Sequence, residues 1–300
     1  MRVDPTYLSS LTGALNQSSS TINNLTSELS SGLSIQSLQD NPVAVAQSAL
    51  LASQIEQADT FVQSATGLGS RLQVADSTLG DVVTQINQAL SLAVQGNNGT
   101  QNASNNASVA QALSGILTEV VSLANTNYQG QYLFSGSQGS VQPFTLNAAA
   151  IPPTATYAGD TNVQTVEVPG GQKLPINLPG SSVFGSGTTG IVGALSQLIG
   201  DISSGASTAS ITTDTAGLTT ALGQLSGQRQ ILDSSLSRLN SASTFAQTSE
   251  SQLVVAQGTL VSANPEQVAT QLSAAETQHQ ALLSVISSLG NQEDLFQRMR

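Results

Sequence analysis

Three hundred residues without a single cysteine exclude a disulfide framework, a thiolate metal site and a cysteine nucleophile, yet suffice for a buried core and about two domains. Charged residues make up only 8% of the chain, against about 25% in soluble domains; Ser, Thr, Asn, Gln and Ala replace them, and such faces are cheap to desolvate against a partner. The net charge of -11 opposes phosphate backbones and anionic bilayers, so the expected partners include no nucleic acid and no membrane.

No window is expected to reach the roughly 20 consecutive apolar residues of a spanning helix. The stretch from Met1 to Leu11 lacks the basic start and apolar run of a cleavable signal peptide. Over residues 6–31, Leu8, Leu11, Leu15, Ile22, Leu25 and Leu29 recur in alternating steps of three and four, with Ser18 as the polar filler. This predicts a coiled-coil seam that Gly32 ends.

Asp40, Asn41 and Pro42 supply a polar cap and a helix-opening proline. Beyond them Leu51, Ile55, Ala58, Val62, Ala65, Leu72, Leu79, Val83, Ile86, Leu90 and Ala93 keep the same step, missing at Gly69 and Asp76. One long helix is predicted, closed by Gly96-Asn97-Asn98-Gly99, with a third helix through Val109, Leu113, Ile116, Val120 and Leu123 folding back antiparallel. From Tyr128 to Phe184 helical periodicity vanishes and six of the ten aromatic residues gather, predicting short strands and turns; Thr165 to Val168 before Pro169-Gly170-Gly171 is the clearest.

Helical spacing returns at Ile191 to Ile202, pauses in a Ser/Gly/Thr linker, and resumes through Leu218, Leu222, Leu225, Leu232, Leu236, Leu239, Ala246, Leu253 and Leu260. Asn264-Pro265-Glu266 restarts a last seam of Val268, Leu272, Ala275, Leu282, Ile286 and Leu289. The expected fold is mainly α with a β-rich insertion (α+β), the terminal segments pairing as antiparallel coiled-coil helices and a helical bundle. Expected domains are 1–40 with 264–300, 41–130 with 205–263, and the insertion and linker 131–204.

Candidate chemistry is sparse. Gly185-Ser186-Gly187-Thr188-Thr189-Gly190 spells a dinucleotide fingerprint trailed by Asp201, but prolines and serines replace the buried strand that must precede it, so a flexible linker is expected. His279, the lone histidine, falls in phase with Ala275 and Leu282 as a seam residue. Asp76, Asp81, Glu119, Glu293 and Asp294 have no histidine at paired spacing, and Arg298 and Arg300 sit where a helix C-terminus favours cations. Asn98, Asn102 and Asn106 open N-x-[ST] triplets read as loop polarity. No catalytic residue, metal ligand or cofactor is expected.

Several stretches resemble the bacterial flagellin family. Leu29-Ser30-Ser31-Gly32-Leu33-Ser34-Ile35 and Asp40-Asn41-Pro42-Val43-Ala44-Val45-Ala46-Gln47 are similar to its serine-glycine turn and the start of its long helix. Gly130 to Gly136, Pro143-Phe144 and Tyr157-Ala158-Gly159-Asp160 resemble its hook-filament junction members more than its filament members, and Asn264 to Leu272 and Leu295 to Arg300 are similar to its C-terminal helix and tail. Leu33-Ser34 replaces a usual basic pair, and Asn41 one acid of an acidic pair. The resemblance implies a structural, non-enzymatic role and unfolded export through the flagellar type III apparatus to the exterior. It also implies hook-associated protein 1, flagellin, further copies and an export chaperone as partners. The seam residues Leu8 to Leu29 and Val268 to Leu289 are the expected assembly interface. Short filament flagellin and a signalling coiled coil are the alternatives.

Overall fold

A computed structural model describes residues 5–35, 41–98 and 102–298, with side chains described between residues 9 and 288 of those spans. Its elements are α1 (Pro5–Ser31), α2 (Pro42–Gly96), α3 (Ala103–Ala124), β1 (Asn127–Tyr128), β2 (Gln131–Tyr132), β3 (Phe144–Asn147), β4 (Thr154–Tyr157), β5 (Thr165–Glu167), β6 (Lys173–Pro175), α4 (Gly180–Val183), α5 (Gly190–Ser204), α6 (Thr208–Val261) and α7 (Pro265–Arg298). They form two compact units, Met1–Ala58 with Ser249–Arg300, and Asp59–Thr248. Mainly helical structure with a β-rich middle is thus what the chain adopts.

In the second unit the buried stripe of α2 runs Leu72, Ala75, Leu79, Val82, Ile86, Ala89, Ala93. This corrects the expected Val83 and Leu90, which are only half-buried. Reading for bulk favours them, but the alternating step continues through Val82 and the small Ala89, leaving Val83 and Leu90 about 100° round the helix on its flank. α6 repeats the lesson: Ala221 and Ser235 are buried, while Leu222 and Leu236 are half-buried. Asp76, an apparent gap in the heptads, accepts two hydrogen bonds from Arg229 of α6, at 2.9 Å from Nε and 3.1 Å from Nη2. The carboxylate holds the Arg229 pKa above its ordinary value.

α3 starts at Asn102, whose Oδ1 accepts from the Asn105 amide at 2.8 Å. Contrary to the expectation from hydropathy, this 22-residue helix is long and apolar enough to cross a membrane, with mean hydropathy 1.4 over an 18-residue window. Its apolar residues are instead spent on the core: Val109, Ala110, Leu113, Ile116, Leu117, Val120, Val121 and Ala124 are buried, and the helix packs on α5 and β3. The buried positions share one face of the helix, while Gln111, Ala112, Gly115, Thr118, Glu119 and Ser122 on the opposite face are exposed, as in an amphipathic core helix.

The middle of the chain folds as three separate antiparallel ribbons, β1–β2, β3–β4 and β5–β6. The expected strand at Thr165 is β5, and Gly170 and Gly171 turn it back with φ of 105° and 79°. Two-stranded ribbons are marginal alone. Here Phe134, Phe144 and Phe184 are fully buried and meet edge to face, with centroids 5.1 Å and 5.6 Å apart. Asn125, just past α3, clamps β3 by accepting from the Phe144 amide at 2.9 Å and donating to its carbonyl at 2.9 Å. Buried Asn177 donates to the carbonyls of Gly136 and Asn162 and accepts from the Gln164 amide, so its desolvation is compensated.

Two further expectations change. The Ser/Gly/Thr linker shrinks to Gly205, Ala206 and Ser207, because α6 already begins at Thr208. Ser207 Oγ accepts from the Ser210 amide, and the hydroxyls of Thr212, Thr213 and Thr215 fold back onto carbonyls one turn earlier, so a polar run stays helical. The glycine run 185–190 is a tight turn rather than a flexible linker: a Cβ on Gly185 would lie 2.0 Å from the Thr189 carbonyl oxygen. The short helix α4 precedes it, not a strand, so the dinucleotide geometry is absent there.

The aromatic cluster yields a stability test. Phe184→Ala is expected to cost about 3–5 kcal/mol by loss of burial and a residual cavity. Gly180→Ala is expected to destabilise as well, since its Cβ would lie 2.7 Å from the Phe134 carbonyl oxygen and 2.8 Å from the Phe144 ring. Denaturant unfolding of both variants checks this; an unchanged midpoint for either contradicts the packing argument.

Candidate assembly interface

In the first unit the chain crosses itself at a tight backbone junction. Gly32 ends α1 with φ 71°, and its amide donates to the Glu28 carbonyl at 2.9 Å. The Ala263 amide then donates to Gly32 O at 2.9 Å, the Ser34 amide donates to Val261 O at 2.8 Å, and Leu33 bridges Ser262. The end of α1 therefore lies at the start of α7, and the two helices pack antiparallel. Asn264 Oδ1 accepts from the amides of Glu266 and Gln267, with Pro265 opening α7; Asn41 Oδ1 likewise accepts from the Ala44 amide, with Pro42 opening α2. Asp40, the other expected cap residue, lies outside the described residues.

The seam expected from the heptads faces inward to different degrees. Val268 and Ser18 are buried; Leu11, Leu15, Ile22, Leu25, Leu272, Ala275, Leu282 and Ile286 are half-buried, and Leu29 is 41% exposed. The side chains of Leu8 and Leu289 lie outside the described residues, as do those of the tail beyond Gly290. His279 occupies its expected slot, half-buried. Gln257 of α6 donates to the Ser48 carbonyl of α2 at 3.1 Å, a side-chain contact within the same unit.

Sequence reasoning missed a second set of apolar side chains, off the seam and open to solvent. Leu50 is 61% exposed and Val255 66%, and Leu33, Val43, Val254, Leu283 and Val285 are exposed with them. Scattered exposed apolar residues are ordinary, but here they accompany a seam that is itself unsaturated. The signal was present in the runs Leu50-Leu51, Leu253-Val254-Val255 and Leu282-Leu283, where one apolar residue serves the seam and its neighbours turn outward.

Among the described residues no three His, Asp or Glu side chains cluster in a way that could hold a metal. The hollow lined by Leu92, Gln95, Asn105, Ser108 and Val109 contains no acid, base or paired nucleophile, and the Ser108 hydroxyl is engaged with the Ser104 carbonyl.

Comparison with known proteins points the same way. The bacterial flagellin N-terminal helical region matches residues 7–139. Flagellar hook-associated protein 3 of Salmonella typhimurium is 28% identical over 166 residues, covering 55% of this chain and 50% of that protein, and its Escherichia coli counterpart is 25% identical over the same length. The chain spans about half the length of the curated relatives it matches. Among solved structures, a putative flagellar hook-associated protein from Vibrio parahaemolyticus has TM-score 0.65 at 15% identity, covering 74% of this chain and 99% of that one. Hook-associated protein 3 of Legionella pneumophila has TM-score 0.62 at 16% identity, covering 71% and 98%. The chain resembles the flagellin family, and hook-associated protein 3 within it, and it shares their fold.

One carboxyl in the second unit is pushed above the ordinary carboxylate range. Asp214 of α6 lies beside Asp201 of α5, and burial first, then the Asp201 charge, push its carboxyl up to about 6. The native state therefore binds this proton more tightly than the unfolded chain. The destabilisation is in full force above pH ~6 and disappears as pH falls into the ordinary carboxylate range. Asp214→Asn is expected to raise the Tm at pH 7.5 and leave it nearly unchanged at pH 4. A pH-independent difference between the two proteins would contradict this assignment.

Proposed function

From a chain flagellin-like in the sequence of residues 7–139 and in fold, we propose a structural protein of the bacterial flagellum that joins hook-associated protein 1 to the flagellin filament. The observation that carries this reading is the antiparallel α1–α7 pair, an incompletely buried seam in a chain whose curated relatives are named hook-associated protein 3. The mechanism is mechanical coupling rather than catalysis. Leu8, Leu11, Leu15, Ile22, Leu25 and Leu29 on α1, with Val268, Leu272, Ala275, Leu282, Ile286 and Leu289 on α7, form the interface that neighbouring subunits complete. Half-buried apolar side chains gain burial only when a further helix covers them, so assembly supplies the stabilisation that the isolated pair lacks.

In this reading residues 1–40 with 264–300 assemble, 41–130 with 205–263 form the long-helix bundle, and 131–204 are the β-rich insertion and linker. The partners are hook-associated protein 1, flagellin, further copies of the chain, and a chaperone that shields α7 before export through the flagellar type III apparatus. The product is an extracellular part of the flagellum. A signalling coiled coil is disfavoured by the three β ribbons and their phenylalanine core.

A strain lacking the gene is expected to build hooks, release flagellin into the medium and carry no attached filaments; normal filaments would sink the proposal. Electron microscopy of the purified chain separates it from a short filament flagellin, which would form long homopolymers by itself. Hydrogen exchange adds a physical test: amides of α1 and α7 should exchange much faster in the monomer than in the assembled flagellum, whereas equal protection would remove the coupling of order to assembly.

A further inference from the structure

Helices in this chain usually silence their hydroxyls by bonding them to a carbonyl one turn back. Thr21 and Thr26 of α1 do so at 2.9 Å and 2.7 Å, as do Thr270 and Thr277 of α7 at 2.8 Å each. Ser18 does not. It is 8% exposed, and its Oγ is buried without a hydrogen-bond partner. On α7 the Nδ1 of His279 is also buried without a partner. An unsatisfied buried polar atom is costly, and two in one helix pair call for a common explanation.

The spacing supplies it. Starting from the junction at Gly32 and Ala263, the α1 seam runs back from Leu29 in steps of four, three, four, three and four to Leu11. The α7 seam runs forward from Val268 through the same series of steps to Ile286. Antiparallel packing thus layers Leu29 with Val268, Leu25 with Leu272, Ile22 with Ala275, Ser18 with His279, Leu15 with Leu282, and Leu11 with Ile286. The polar slot of each helix falls in the same layer.

We propose that Ser18 and His279 form a polar layer that selects the register and partner of the α1–α7 pair, the serine hydroxyl and the imidazole Nδ1 answering each other through one bridging water. Sliding α7 by one heptad puts Leu25 against His279 and Ser18 against Ile286; sliding the other way puts Leu11 against His279 and Ser18 against Leu272. Pairing α1 with a second α1 antiparallel likewise sets Ser18 against leucine or isoleucine. Each alternative buries two polar groups against apolar ones, while every other layer remains apolar on apolar. Only the register inferred from the junction brings the two polar slots together, the role a buried polar residue plays in coiled-coil seams. The choice matters most where many copies offer each other identical helices. Its importance for assembly rests on the flagellar reading above, but the register itself does not.

The full chain has no cysteine, so engineered pairs report register cleanly. Ile22→Cys with Ala275→Cys reads the inferred register, and Ile22→Cys with Leu282→Cys reads the heptad slip. With Ser18 and His279 present, the first pair is expected to crosslink at least about tenfold more than the second; in a Ser18→Leu, His279→Leu background the two yields should come within about threefold. Ser18→Asn with His279→Asn, which keeps a polar layer, should restore the preference. Retention of the single register in the double-leucine background would overturn the proposal and leave the Gly32–Ala263 junction as the sole determinant. Should that variant not fold, a thermal-unfolding cycle of Ser18→Ala and His279→Ala decides: a double variant less destabilised than the sum of the singles supports the layer, and strict additivity overturns it. Neither measurement depends on motility, so failure here is distinguishable from failure of the flagellar role.

Discussion

Burial of apolar side chains between helices is the interaction on which both units depend, because the chain offers little else. With 8% charged residues, ion pairs cannot knit the helices together, and the Asp76–Arg229 pair is about a third exposed on the arginine side, where such pairs contribute about 0–1 kcal/mol. Stability then follows how completely a stripe is covered. The stripe of α2 from Leu72 to Ala93 is nearly sealed, whereas that of α1 from Leu11 to Leu29 is half open. The second unit can stand as a finished core; the first has apolar surface still to bury.

Within the second unit that core also explains how small ribbons persist. No ribbon exceeds two strands, and none could hold its own hydrophobic face in water. Phe134, Phe144 and Phe184 come from a loop, a strand and the residue after α4, and their mutual edge-to-face packing ties all three segments to α3 and α5. Asn125 and Asn177 supply the directional bonds that burial alone lacks. A β-rich decoration can thereby be carried on a helical scaffold without a sheet of its own.

For the first unit, incomplete burial and an uncharged surface have one physical consequence. Serine, threonine and glutamine lose little on desolvation when a neighbour provides hydrogen bonds, and the exposed Leu50, Val254, Val255 and Leu283 gain by being covered. A charged surface would have made the same helices soluble and solitary. On the assembly proposed above, a chain that stays loose beforehand and becomes firm afterwards benefits from this composition, and the proposed polar layer at Ser18 and His279 adds selectivity where nonspecific apolar contact has none.

The long helices, their capping residues Asn41 and Asn264, the antiparallel terminal seam and the β-rich middle were legible in the sequence alone. Periodicity and capping chemistry are local, so a heptad or an Asn-Pro pair shows itself without knowledge of its partner. Flank positions were not legible: whether Val82 or Val83, Ala89 or Leu90 lies inside depends on how closely a neighbouring helix approaches, which small residues permit and bulk conceals. Nor were the early start of α6 and the tight glycine turn at 185–190, which rest on local hydroxyl and backbone contacts that apolar periodicity does not register, or the burial of one face of the apolar α3, which rests on α5 and β3. Ser18 and His279 belong to both categories. Sequence placed each in its own seam, but only the junction at Gly32 and Ala263, a tertiary hydrogen bond, decides that they share a layer.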